Sequence, residues 1–245
     1  MSMTSSWIKD LPVAHRGYHD MNQTVWENTL SAFSRAADAG FAIECDIQLS
    51  SDSVAMIFHD DTLERLCSIK GDVREKSAGE LGLLSVGGTG DRIPTLKQML
   101  ALVKGRVPLV IELKGRSPQE DDGFAETVLE TLEGYQGQVA LMSFDHHLLE
   151  DLKRAEAPFP LGLTAMGDKP EDFAKHDEAM QLGLDFISYH WAHLPNSFIA
   201  AQRERGVPVI TWTVRDENAR AHTYTHADQM TFEGFDPRES VAPAA

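Results

Sequence analysis

The chain has only two cysteines, Cys45 and Cys67. That is too few for a disulfide scaffold or a cysteine-rich zinc site, and it fits a reducing compartment. Long apolar runs are missing too: no stretch approaches a membrane span, and the start, MSMTSSWIKDLP, lacks the basic residues and apolar run of a signal peptide. A cytoplasmic protein with no stable membrane association is therefore expected. Positive charge is scarce, with 22 Lys and Arg against 38 Asp and Glu, and the net charge of −16 disfavours nucleic acid and anionic surfaces as partners. Repeats, low-complexity tracts and interdomain linkers are absent. Composition says nothing of oligomeric state. What remains is an ordinary globular mix, 42% hydrophobic and 24% charged over 245 residues. At that length one barrel domain is common.

The informative stretch is Phe41 to Asp60, FAIECDIQLSSDSVAMIFHD. Strand alternation puts Glu44, Asp46 and Gln48 on one face and Ile43, Cys45 and Ile47 on the other, so two carboxylates face the same way and Cys45 is a buried small hydrophobe. Ser50 to Ser53 is turn chemistry, and Val54 to Phe58 reads as a strand returning antiparallel. A turn centred on Ser51 and Asp52 would set His59 opposite Glu44.

Elsewhere strands and helices alternate. Val13 begins a short strand, and Leu30, Phe33, Ala36 and Ala37 share one face of a helix from Thr29 to Ala39, stopped by Gly40. Asp61 to Arg92 lacks periodicity and reads as an excursion; Thr95 then caps another helix through Val103. Strands follow near Leu109–Leu113, Val139–Ser143, Leu161–Thr164, Phe186–Ser188, Val207–Val214 and Gln229–Phe232. Helical segments at about 123–135, 147–154, 171–182, 196–205 and 216–224 separate them. Together with Val13 and Ala42 this makes eight β-α units, the pattern of an α/β protein with a closed (β/α)8 TIM barrel, a hairpin and a small insertion after the second strand. Residues 1–245 then form one domain, with a frayed tail from Arg238.

In such a barrel, chemistry collects where strands end. Those ends carry His15 and Arg16, Glu44 and Asp46, Glu112 and Lys114, Phe144, and Trp212. Three acids on one rim need a compensating cation, and hard oxygen donors without cysteine point to Mg2+ or Ca2+ on Glu44, Asp46 and Glu112. Arg16 and Lys114 beside such an ion suit a phosphate. His15 and His59 supply acid and base near neutral pH. Phe144 and Trp212 are either barrel packing or a substrate wall.

The ordered set His15-Arg16-Gly17, Trp26-Glu27-Asn28-Thr29, Glu44-Cys45-Asp46, His59-Asp60 and Glu112-Leu113-Lys114 resembles the signature of the glycerophosphodiester phosphodiesterase family, and Ile93-Pro94-Thr95-Leu96 and Trp212-Thr213-Val214 add to it. The resemblance implies a barrel with a small insertion at 61–92 and a divalent-metal enzyme, Mn2+ being a further option. It would cleave a small soluble phosphodiester into an alcohol and sn-glycerol 3-phosphate, through a cyclic phosphate or by direct water attack. It also implies metal binding by Glu44, Asp46 and Glu112, acid–base roles for His15 and His59, phosphate contacts from Arg16 and Lys114, and a supporting role for Glu27. Alternatives are a related enzyme of lysophospholipid, sphingolipid or sugar phosphodiesters, and a non-catalytic phosphodiester-binding barrel. Trp26 replaces the family's usual proline, which would alter the loop over the mouth and narrow it or line it with an aromatic ring, and 231–237 departs from its usual T-D-x-P. His222 and His226, four apart, lack a third ligand for a metal. His146, His147, His190 and His193 read as loop surface.

Overall fold

The computed structural model describes residues 5–239. Eight parallel strands close into a barrel: β1 (Val13–Ala14), β2 (Ala42–Leu49), β4 (Leu109–Leu113), β5 (Val139–Ser143), β6 (Leu161–Ala165), β7 (Phe186–His190), β8 (Val209–Val214) and β9 (Gln229–Phe232), with β1 pairing both β2 and β9. A ninth strand, β3 (Ala55–Ile57), lies antiparallel on β2. The (β/α)8 expectation is met. β7 runs two residues further than its sequence suggested, to His190, and β8 begins two later, at Val209.

Helices alternate with the strands: α1 (Leu30–Ala39), α4 (Leu96–Val103), α5 (Phe124–Leu132), α6 (His146–Arg154), α7 (Pro170–Met180), α8 (Ser197–Glu204) and α9 (Glu217–His226), while the insertion adds the single turns α2 (Glu64–Cys67) and α3 (Ala78–Leu81). Their ends follow local chemistry. Thr29 caps α1 by accepting from Ala32 N, and Gly40 ends it in the left-handed region at φ 77°. Thr95 and Gln98 close a capping box on α4. Outward-facing strand residues such as Ile43, Cys45 and Ile111 pack against helix residues such as Phe33 and Val128 in the main core.

Inside the barrel the layers separate apolar floor from polar mouth. Val13, Ala42, Val110, Ala140, Phe186 and Ile210 fill the bottom together with Ile8 from a 3-10 turn at Ser5–Lys9. Gly162 leaves room for Phe186, whose ring would lie 2.3 Å from any added Cβ. One layer up, the inward positions become His15, Glu44, Glu112 and their neighbours.

The hairpin register differs from the expected one. Ile47 pairs Ile57, Gln48 pairs Met56 and Leu49 pairs Ala55, so the turn holds three residues, with Ser53 in the left-handed region at φ 58°. That extra residue would move His59 from Glu44 to Cys45 if the ladder continued, but it stops with Phe58 N donating to Asp46 O at 3.0 Å. His59 then leaves the strand and enters the mouth. The insertion is compact: Met56, Phe58, Leu63, Leu66, Val73, Leu81, Val86 and Ile93 make a core of their own. Trp26 joins that core over Gly87, where a Cβ would lie 2.0 Å from its ring. The indole anchors the insertion, and the expectation that it lines the mouth is corrected. At the tail, Arg238 donates to Ala39 O at 2.9 Å and its guanidinium lies 4.4 Å from the centre of the Phe41 ring. Residues 240–245 of the expected frayed tail lie outside the described residues.

Candidate active site

A cavity of about 230 Å³ opens at the C-terminal ends of the strands. It is lined by His15, Arg16, Glu44, Asp46, His59, Glu112, Lys114, Phe144 and Trp212 together with His190 and Arg215. Every residue proposed from sequence for the site therefore borders one space, except Glu27, which lies behind Arg16. A larger groove between α8 and α9 gathers no comparable acid–base set.

The acids come from the register of two strands. Asp46 pairs Glu112 across β2 and β4, and strand alternation turns Glu44 to the same side. Each offers an oxygen within 4.8 Å of the others, all three are buried, and Glu44 Oε1 has no hydrogen-bond partner. No other trio of His, Cys, Asp or Glu converges like this among the described residues. Burial and the charges of Asp46 and Glu112 push Glu44 well above the usual carboxylate range, and burial raises Glu112 to about 7. Burial opposes Asp46 as well, but Lys114 and Arg16 hold it far below. Crowded, buried, all-oxygen donors of this kind fit a hard divalent cation.

Two cations sit on the acids. Lys114 Nζ lies 3.1 Å from Asp46 Oδ1 and 2.5 Å from Glu112 Oε1. Arg16 Nε lies 3.2 Å from Asp46 Oδ2, while its backbone N–H donates to Glu44 Oε2 at 2.8 Å and Nη1 to Glu27 Oε1 at 2.6 Å. Arg16 itself stands at φ 54°. Glu27 is clamped from the other side by Arg65, which also grips both oxygens of Asp60. The insertion thus reaches the site through Arg65.

Each histidine leans on a carboxylate. His59 Nδ1 is 2.8 Å from Asp60 Oδ1, and His15 Nδ1 is 2.7 Å from Glu233 Oε2. Arg65, His59 and, at the other site, His15 hold Asp60 and Glu233 below the usual range despite partial burial, so both carboxylates only accept. The hydrogen of each ring is then on Nδ1, leaving Nε2 as the free base. Burial lowers both histidines from their ordinary value.

Several participants escaped the sequence. Gln48 shares the face of Glu44 and Asp46, and its Nε2 donates to Phe58 O and Asp60 O at 3.0 and 2.8 Å, pinning the His59 segment. Asn28 donates to Asp46 Oδ2 at 2.9 Å. His190, read as loop surface, ends β7 and borders the cavity beside Trp212, ring centroids 4.9 Å apart. Phe144 also packs edge-on to Trp212 at 5.5 Å, so both aromatics pack and border the cavity at once. Three further histidines make structural contacts: His147 meets Asp121 at 2.8 Å, His193 accepts from Gly167 N, and His222 lies 2.8 Å from Leu194 O.

The family profile described as glycerophosphoryl diester phosphodiesterase matches residues 15–234. The chain belongs to that family. A glycerophosphodiester phosphodiesterase of Caldanaerobacter subterraneus is 29% identical over 219 residues, covering 84% of this chain and 86% of its own. In fold, the chain resembles an Oleispira antarctica phosphodiesterase solved with the product sn-glycerol-3-phosphate, at TM-score 0.81 and 23% identity over 93% of this chain and 94% of that one. A Thermotoga maritima glycerophosphodiester phosphodiesterase gives TM-score 0.71 at 24% identity, over 91% and 94%. No helix among the described residues of this family member is long and apolar enough to cross a membrane.

Proposed function

We propose that the protein hydrolyses glycerophosphodiesters to an alcohol and sn-glycerol 3-phosphate, with His15 and His59 as the acid–base pair. The observation that carries this reading is the pair of carboxylate-held histidines bordering one cavity with the buried acid triad. Glu44, Asp46 and Glu112 would hold a divalent metal, Mg2+, Ca2+ or Mn2+. Such an ion, when bound, supplies Lewis-acid charge for the phosphoryl oxygens.

The chain's own residues do the rest. Arg16 and Lys114, desolvated beside the acids, offer donors to a phosphate oxygen, and Glu27 with Arg65 keeps the Arg16 guanidinium from swinging outward. One histidine takes the proton of the attacking hydroxyl on its free Nε2. The other, protonated, returns one to the leaving alcohol oxygen, a task worth about 10²–10⁴-fold in rate for a positioned group. Trp212 and Phe144 border the same cavity and offer aromatic surface to the substrate.

Phosphorus NMR of a panel of glycerophosphodiesters tests the reading. The expected result is conversion to the glycerol 3-phosphate monoester with Mg2+, Mn2+ or Ca2+ and its loss on chelation. A transient cyclic phosphate resonance would assign the attack to the neighbouring glycerol hydroxyl. Binding of the diesters with no turnover under any of these ions would overturn it, and full activity in metal-free protein would remove the metal assignment.

A further inference from the structure

We propose that Glu233, just past the eighth barrel strand, is a positioning residue that fixes the ring orientation and tautomer of His15. The inference rests on His15 being an acid–base group and goes beyond it by naming the residue that makes it competent. Barrel closure brings the two together. Val13 pairs Thr231 and Ala14 pairs Phe232, so the next step of the same parallel register sets His15 beside Glu233 with both side chains on the inner face. Both backbones are held there: His15 N donates to Phe232 O at 2.9 Å and Glu233 N to Val214 O at 3.0 Å.

The carboxylate is surrounded by donors. Oε2 takes His15 Nδ1–H at 2.7 Å, Oε1 takes Arg215 Nε–H at 2.5 Å, and His19 Nε2 stands 3.5 Å from Oε2. His19 Nδ1 accepts from Met21 N at 3.1 Å, which puts its hydrogen on Nε2, toward Glu233. Glu233 is 6% exposed, so water offers no substitute for these contacts. An acceptor-only carboxylate on Nδ1 leaves the His15 Nε2 lone pair to the cavity, where it lies 3.9 Å from Glu44 Oε2. A ring free to rotate or to exchange tautomers would present that lone pair only part of the time.

A mere tie between β9 and β1 would also use such a contact, so the test separates the two roles. Turnover of a glycerophosphodiester is measured for wild type, Glu233→Gln, Glu233→Asp, His15→Ala and the double variant His15→Ala with Glu233→Gln, with thermal midpoints recorded for each. Glu233→Gln is expected to lower kcat by about 10–100-fold, as loss of a supporting carboxylate commonly does, and to leave KM nearly unchanged. Glu233→Asp should restore part of the loss. In the His15→Ala background the same Glu233→Gln change should alter the residual rate by less than about threefold, because its target is gone. Nitrogen-15 NMR of the imidazoles should give His15 of the wild type as the Nδ1–H tautomer. Three results overturn the proposal: wild-type kcat in Glu233→Gln, an equal loss in both backgrounds, or a wild-type His15 protonated on Nε2 alone. If wild type turns over no diester, the functional reading falls, whereas the ring spectrum still decides the positioning.

Discussion

The two histidines of the mouth are held by the same device built in opposite ways. His59 and its carboxylate, Asp60, are consecutive in the chain, with side chains 32% and 22% exposed, and Arg65 of the insertion backs them. His15 and Glu233 are separated by 218 positions, with side chains 12% and 6% exposed, and meet only because the last barrel strand pairs with the first. The difference is one of redundancy. His59 keeps a second restraint in Gln48, which ties the backbone on both sides of it. His15 relies on a buried charge-assisted contact that no solvent replaces.

That comparison can be broken at several strengths. The largest effect belongs to the rings: His15→Ala and His59→Ala should each lose about 10²–10⁴ in kcat while staying folded, and near-wild-type turnover in either would remove it from the chemistry. Next come the carboxylates. Asp60→Asn should cost less than Glu233→Gln, about threefold to tenfold in kcat, since exposure and Gln48 soften the loss. The reverse order in steady-state kinetics would contradict the burial argument.

The mildest change, one of pH alone, concerns the buried acids that both arms share. Glu112 is raised from 4.5 to about 7 by burial, so below that pH its proton must leave before a cation binds. Apparent Mg2+ affinity should therefore fall by up to about tenfold per pH unit below 7, with more proton release at pH 6 than at pH 8 in calorimetry. Affinity independent of pH across this range would refute the assignment. The sign for stability runs the same way. A carboxyl whose folded-state value is raised favours the fold at low pH, and that contribution is lost in the metal-free protein as pH rises from about 4.5 through about 7.

Much of the fold was legible because its signals are local. Strand alternation put Glu44 and Asp46 on one face, Thr29 and Thr95 announced their helices, and the five ordered motifs carried the family. What stayed hidden depends on closure or on turn geometry. One residue in the left-handed region at Ser53 shifted the hairpin register. Glu233 lies in a stretch that departs from the family pattern, yet the period Gln229, Thr231, Glu233 turns it inward, a signal available to anyone pairing the eighth strand with the first. The same period, Phe186, Ser188, His190, brings His190 to the mouth because β7 runs two residues past its apolar pattern. Arg65 sits in an aperiodic insertion, and nothing local says that its guanidinium spans Glu27 and Asp60. Trp26 followed the apolar surface of that insertion, whose core no short pattern reveals.

The central claim is that the two held histidines perform phosphodiester hydrolysis, and a phosphorus NMR time course with glycerophosphocholine and Mg2+ tests it most directly. Wild-type protein should convert the diester resonance to that of sn-glycerol 3-phosphate, and the combined His15→Ala and His59→Ala variant should leave it unchanged. Equal conversion by the double variant would contradict the account.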